Sequence, residues 1–156
     1  MAQSCCLTAP LMSWAACRYL QQNCIWKVSH LDGVPELDTL NISHNHLKKL
    51  ENLSVCPKLT TLITTDNQLE GLDSIQHLAA CTSLHTLDLK NNKLEDPQVL
   101  DVFRQLPNLR CLYLTGNPVV SNMRNYRKLM VAALPGLTYL DDRPVFEDER
   151  RLVNAW

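Results

Sequence analysis

LHTLDLKNNKL, residues 84–94, decides how this chain folds. Leu87 and Leu89 alternate with polar neighbours, the period of a strand that buries one face. Asn92 follows three residues later and Leu94 two after that. The same spelling occurs in LDTLNISHNHL (37–47), LTTLITTDNQL (59–69) and LRCLYLTGNPV (109–119), so each copy fits LxxLxLxxNxL. A worn copy, ACRYLQQNCI (16–25), keeps Leu20, Asn23 and Ile25 but puts Arg18 where the others have leucine.

Asn23, Asn45, Asn67, Asn92 and Asn117 are spaced by 22, 22, 25 and 25 residues, inside the 20–29 period of a leucine-rich repeat. Each copy supplies one short strand whose alternate apolar residues, such as Leu40 and Ile42, face inward. Stacked copies then form a parallel sheet on the concave wall of a solenoid. The asparagine stands where the chain turns inward, and its amide can both donate to and accept from backbone groups that a buried turn would leave unpaired. The five asparagines are therefore expected to form a structural ladder. Thr64 breaks the pattern at an inward position, where its hydroxyl must find a backbone acceptor or weaken that coil.

Beyond each asparagine the apolar spacing changes to three, in Leu47, Leu50, Leu53 and again in Leu69, Leu72, Ile75, which suits a 3₁₀ turn better than an α-helix. In the longer coils, DPQVLDVFRQLP (96–107) predicts a true helix, with Asp96 as N-cap, Pro97 at the first position and Leu100, Phe103 and Leu106 on one face. Cys56 and Cys81 occupy equivalent places and read as small core hydrophobes.

A solenoid's last coil exposes an apolar end that needs a cap with a polar outer face. NYRKLMVAAL (125–134) predicts an amphipathic helix burying Tyr126, Leu129, Met130, Ala133 and Leu134. After it, Leu137, Tyr139 and Leu140 begin a final strand, and Asp141, Asp142 and Arg143 place charges where a further coil would dock. Pro144 removes a ladder donor. The expected fold class is α/β: a right-handed solenoid of five to six coils, with a concave parallel sheet, 3₁₀ or short helices on the convex side and a helical C-terminal cap. Residues 1–14 are expected to be an N-terminal segment or cap, 15–124 the repeats, 125–146 the C-terminal cap and 147–156 the start of a trailing helix, in a chain that is a piece of a longer protein.

Lys and Arg number 15 against 16 Asp and Glu, a formal charge of −1 that provides no general field for nucleic acid or anionic lipid. Seven cysteines without any CxxC spacing suit free thiols in a reducing compartment. No apolar run reaches the 18 or so residues of a membrane span, and no basic residue precedes Arg18, as a signal peptide would require.

The stretch NYRKLMVAALPGLTYLD resembles the C-terminal cap of the leucine-rich repeat class that includes the type-one phosphatase regulatory subunit and the spliceosomal A-prime protein. The longer tract 94–156, through GNPV, NYRK, LTYLDDRPVF and the closing Ala155 and Trp156, more specifically resembles the leucine-rich repeat axonemal dynein assembly factors. It departs from them at EDER (147–150). The resemblance implies a non-catalytic cytoplasmic scaffold for preassembly of dynein arms of motile cilia or flagella. It also implies protein partners among dynein chains, chaperones or other assembly factors, without nucleic acid, membrane or cofactor, and a monomeric chain. An adaptor of the phosphatase-regulatory or spliceosomal type is the alternative.

The outward strand positions form three columns, the second running Tyr19, Asn41, Ile63, Asp88, Tyr113 and Asp141. The first ends in Tyr139, and the third carries Ser43, Thr65, Lys90, Thr115 and Arg143. Tyrosines bring large contact area with a polar tip, and Ile63 is an apolar side chain in the middle of an exposed face. The candidate partner-binding residues are thus Tyr19, Asn41, Ile63, Asp88, Lys90, Tyr113, Tyr139 and Arg143. Tyr126, Leu129, Leu137, Leu140 and Asp141 are assigned to the cap. An enzyme would need a base, nucleophile or metal cluster. His44 and His46 flank Asn45 without a third ligand, Cys5 and Cys6 have no positioned histidine, and neither a phosphate loop nor a GxSxG elbow occurs.

Overall fold

The computed structural model describes residues 17–29 and 31–155. The expected N-terminal segment at 1–14 and the closing Trp156 lie outside the described residues. One seven-stranded sheet runs in chain order: β1 (Cys17–Tyr19), β2 (Thr39–Asn41), β3 (Thr61–Ile63), β4 (Thr86–Asp88), β5 (Cys111–Tyr113), β6 (Tyr139–Leu140) and β7 (Arg143–Pro144). The first six are parallel and share one register, so that Leu40, Leu62, Leu87, Leu112 and Leu140 face one another down the interior. All five of these leucines are fully buried.

The asparagine ladder explains why strands of only three residues hold. Asn67 Nδ2 donates to the carbonyls of Ile42 and Thr64 at 3.0 Å each and, more distantly, to Thr65, while its Oδ1 accepts the Leu47 N–H at 3.1 Å. Asn45, Asn92 and Asn117 repeat the arrangement, each bonding backbone of its own coil and of the preceding one. Asn23 is exposed, its side-chain amide donates to the carbonyls of Leu20 and Gln21 in its own coil, and its backbone N–H donates to Asn45 Oδ1 of the next coil at 3.1 Å. The residue just before each ladder asparagine has positive φ: Gln22, His44, Asp66, Asn91 and Gly116. That left-handed step turns the chain inward. Gly116 is needed for a second reason, because a Cβ there would lie 2.1 Å from Asn91 Oδ1.

Thr64 is fully buried, and its Oγ1 donates to the Asp88 carbonyl at 3.0 Å, so its polar group is satisfied. The convex side carries 3₁₀ turns at Leu53–Val55, Leu72–Ser74 and Gln76–Ala80. The three-residue spacing thus chose correctly, although Leu72 is only partly buried against the core. The coil from Asn67 to Asn92 therefore takes up its additional residues in 3₁₀ turns rather than an α-helix. Helix α1 (Val99–Arg104) forms in the next coil, starting later than expected. Asp96 caps a turn instead, its Oδ1 accepting the Gln98 N–H at 2.8 Å, and the buried face is Val99, Val102, Phe103 and Leu106, with Leu100 half-buried.

Two short helices follow β5: α2 (Pro118–Asn122), which the sequence reading did not separate from the repeat, and α3 (Tyr126–Ala133). Asn117 precedes α2 but makes no cap bond to it, since its amide is engaged in the ladder. In α3 Met130 and Val131 are buried, with Tyr126, Leu129 and Ala133 packed against the core. Helix α4 (Glu147–Asn154) trails beside it and buries Val153.

The end of the sheet corrects the sequence reading. Strand β7 runs antiparallel to β6, pairing Leu140 with Arg143 and Tyr139 with Pro144. The chain thus occupies the next edge position with its own return strand. The Val145 N–H points back to the Thr138 carbonyl at 2.8 Å, so the neighbouring Pro144 falls where a donor would face outward. Proline removes that donor from the exposed edge. No helix among the described residues is long and apolar enough to cross a membrane.

Candidate interaction face

Tyr19, Asn41, Ile63, Asp88 and Tyr113 lie in direct register across β1 to β5, and Tyr139 follows Cys111 in the adjacent column. The parallel stacking that buries the leucines brings these residues together on the opposite pleat. Much of the face is held by its own contacts. Asn41 Oδ1 accepts the Ser43 N–H at 3.1 Å and its hydroxyl at 2.7 Å. Asp88 Oδ1 accepts the Lys90 N–H at 3.0 Å, and its Oδ2 lies 3.3 Å from Lys90 Nζ.

Lys90 Nζ also sits 5.1 Å from the Tyr113 ring centroid, within cation–π range, and Tyr113 meets Tyr139 at 5.7 Å with the rings tilted by 46°. Burial, aided by nearby Cys111, Tyr139 and Asp88, pushes the Tyr113 hydroxyl above its ordinary pKa and keeps it a donor. The C-terminal half is therefore an ordered aromatic and charged cluster. At the other end Tyr19 is exposed. Ile63 stands half-buried between them, with apolar surface and no polar group of its own.

Two residues do not follow the expected columns. Arg143 lies on the antiparallel β7 opposite Leu140, and opposed residues share a face of the sheet. It therefore falls in the column of Leu140 rather than the one expected, and lines a cleft at the capped end with Thr115, Tyr126 and Arg127. Asp141 departs from the second column because the hairpin places it in the left-handed region, at φ +54°. Its Oδ1 accepts the Leu114 and Thr115 N–H groups at 2.6 and 2.9 Å, and its Oδ2 accepts the Tyr126 hydroxyl at 2.8 Å. Asp142 and Arg143 remain exposed, but Asp141 is structural.

The cap assignment gathers Tyr126, Leu129, Leu137, Leu140 and Asp141 at one end of the stack, with Leu137 and Leu140 buried. Sequence reasoning missed the cations that lock it. Arg127 donates from Nε and Nη2 to the two Glu149 oxygens at 2.6 and 2.9 Å, and from its Nη atoms to the carbonyls of Leu140 and Pro144. Arg150 donates to the carbonyls of Val131 and Leu137. Two arginines thus tie α3, the hairpin and α4 together. Their spacing of 23 residues gives no periodic signal.

His44 pairs with Asp66 at 3.3 Å and His46 with Gln68 at 3.4 Å along the turn flank. Among the described residues no group of three or more His, Cys, Asp or Glu side chains is placed to hold a metal. Fold and face together define a capped parallel solenoid with an ordered concave wall.

Residues 20–155 match the leucine-rich repeat family, and the chain belongs to that family. It is 63% identical over 68 residues to the Leucine-rich repeat-containing protein ODA7 of Chlamydomonas reinhardtii, 44% of this chain and 16% of that protein. It is 48% identical over 68 residues to Dynein axonemal assembly factor 1 of Homo sapiens, 44% of this chain and 9% of that protein. These matches therefore take in less than a fifth of either relative. Among solved structures, a chain of the Drosophila melanogaster SNF/U2A' complex is similar with TM-score 0.73 and 30% identity, covering 85% of this chain and 75% of that one. The internalin inlF of Listeria monocytogenes is similar with TM-score 0.62 and 26% identity, over 78% of this chain and 33% of its own.

Proposed function

We propose that this chain is a non-catalytic protein-binding platform that acts in the assembly of axonemal dyneins, in the cytoplasm, before the arms reach motile cilia or flagella. The observation that carries the reading is its 63% and 48% identity to ODA7 and to Dynein axonemal assembly factor 1, two proteins from very distant organisms. The concave wall supplies the means. A sheet pinned by the asparagine ladder loses little backbone freedom on binding, so contact energy is spent on the partner. Tyr19, Asn41, Ile63, Asp88, Lys90, Tyr113 and Tyr139 would make the contacts, with dynein chains, chaperones or other assembly factors as partners of a monomeric chain.

Ile63→Ala combined with Tyr113→Ala tests the face. Capture of axonemal dynein chains from cytoplasmic extract of ciliating cells should fall by about tenfold or more, the loss expected for central interface anchors, with the melting temperature nearly unchanged. Undiminished capture would overturn the assignment of the face. Removal of the gene should leave axonemes without dynein arms, and normal arms would overturn the assignment of the process.

The likeness to a chain of the SNF/U2A' complex favours a second reading, an adaptor of the spliceosomal type. It requires ribonucleoprotein components, rather than dynein chains, to dominate the captured material in ciliated and non-ciliated cells alike.

A further inference from the structure

The flank that follows the asparagine turns is as regular as the concave wall. A second backbone ladder runs along it, in which the N–H groups of His46, Gln68 and Lys93 donate to the carbonyls of Ile25, Leu47 and Leu69, each at 2.8 Å. Side chains on this flank therefore stand in fixed rows. Three residues beyond the asparagines come Trp26, Lys48, Glu70, Glu95 and Val120, and four beyond come Lys27, Lys49, Gly71, Asp96 and Ser121. The rows are basic and aromatic over the first two coils, acidic over the next two and uncharged at the last.

A solvated face mixes its charges. Within these two rows they are segregated, with Lys93 beside Glu70 outside them, and the basic end carries an exposed tryptophan: Trp26 is 56% exposed at the rim of an open cleft of about 470 Å³ that includes Lys27, His46, Lys48, Lys49, Glu51 and Gln68. Lys27 is paired with Glu51 at 3.6 Å, whereas Lys48 and Lys49 form no ion pair among the described residues. A large exposed aromatic beside two uncompensated cations combines an apolar anchor with charge selection.

We propose that this flank cleft is a second protein-docking site, independent of the concave face, and that it takes an acidic peptide segment of a partner. Aspartate or glutamate carboxylates pair with Lys48 and Lys49, and an adjacent apolar side chain packs on the Trp26 indole. Glu70, Glu95 and Asp96 fix the limit of the site by repelling an acidic segment that extends past the second coil. The same acidic continuation opposes a phosphodiester backbone, which carries charge along its whole length. A chain with both surfaces can hold two partners at once, one on the sheet and one on its flank.

The test is fluorescence anisotropy with the whole chain and a short fluorescein-labelled peptide of aspartate and glutamate around one central leucine. Saturable binding is expected, weakening as salt rises because the contacts are exposed ion pairs. Lys48→Glu with Lys49→Glu should lower affinity at least about tenfold, as should Trp26→Ala, the size of an interface hot spot. Melting should stay unchanged because all three side chains are exposed. The neutralising pair Lys48→Gln and Lys49→Gln gives a second measure without charge repulsion, with a smaller loss in the same direction. Tyr113→Ala, on the concave face, should bind the peptide as the unaltered chain does. The proposal is overturned by no saturable binding, by indifference to the lysine variants, by loss on Tyr113→Ala, by equal binding of a lysine and leucine peptide, or by a single-stranded RNA that binds through the same lysines.

Discussion

Tyr126 and Asp141, 15 residues apart, are joined by a 2.8 Å hydrogen bond from the phenol to Oδ2, and through the other carboxylate oxygen Asp141 holds the backbone of the preceding coil at Leu114. This contact fastens the cap helix to the last parallel strands. Tyr126 is largely buried, and burial together with the neighbouring carboxylate raises its pKa above the usual tyrosine range, which favours the protonated, donating phenol.

Removing that donor leaves a partly buried carboxylate oxygen short of one partner. Tyr126→Phe should therefore lower the unfolding free energy by about 1–3 kcal/mol, and Asp141→Ala by at least as much because two backbone N–H groups also lose their acceptor. Urea titration reads both. Equal stability of the Asp141→Ala variant and the unaltered chain would mean the cap is held by its leucines alone.

The ladder is tested at Asn67. Asn67→Asp keeps an acceptor for Leu47 but turns the three donor contacts into a carboxylate facing carbonyls. It should destabilise by about 3 kcal/mol or more, close to Asn67→Ala. An aspartate variant as stable as the original would show that acceptance, not donation, holds the turn. Thr64→Val is the opposite case: the Asp88 carbonyl still accepts the residue 64 N–H at 2.8 Å, so the change should stay within about 1 kcal/mol.

Arg127 and Glu149 make acid stability readable. The hydrogen bonds from Arg127 hold the Glu149 carboxyl below the usual glutamate value, against a smaller upward push from burial. A carboxyl depressed in the folded state stabilises the fold above its unfolded pKa of about 4.3 and loses that effect as pH falls through the lower folded value. The stability gap between the unaltered chain and Glu149→Gln should thus be widest at neutral pH and close in acid. A gap that stays constant down to the acid transition would contradict the pairing.

Cysteine reactivity separates interior from surface. Burial, with Cys56 beside it, pushes the Cys81 thiol up to about 11, and burial likewise raises Cys56, while Cys17 and Cys24 are exposed. The thiolate is the reactive form. Maleimide at pH 8 should label Cys17 and Cys24 first and reach Cys56 and Cys81 only on unfolding, as peptide mapping would show. Early labelling of Cys81 would refute the closed interior.

The repeats were legible because each depends on neighbours at a fixed sequence distance. Leu87 reports its own place, and Asn92 reports the turn beside it. The end of the stack was not legible to the same degree, since its contacts have no period. Asp141 reaches N–H groups 26 and 27 residues earlier, and Arg127 meets a glutamate 22 residues later. In LTYLDDRPVF the polar run read correctly as a stop signal. That it folds back as an antiparallel strand depends on the left-handed turn at Asp141, and aspartate is only one of several residues that adopt it. On the concave side the columns from β1 to β5 follow directly from the parallel register, which is why only the residues after Leu140 were misplaced.

Because five successive strand pairs keep one register, the concave wall works as a ruler graduated in steps of about 4.8 Å, the spacing between neighbouring strands. Excising one whole coil, such as 45–66, rejoins His44 to Asn67 in the phase of the pattern and moves Tyr19 one graduation closer to Tyr113. A partner gripping both tyrosines would feel that single step as misfit, whereas one gripping Tyr113 and Tyr139 would not notice it, so the excision measures how much of the wall a bound protein spans.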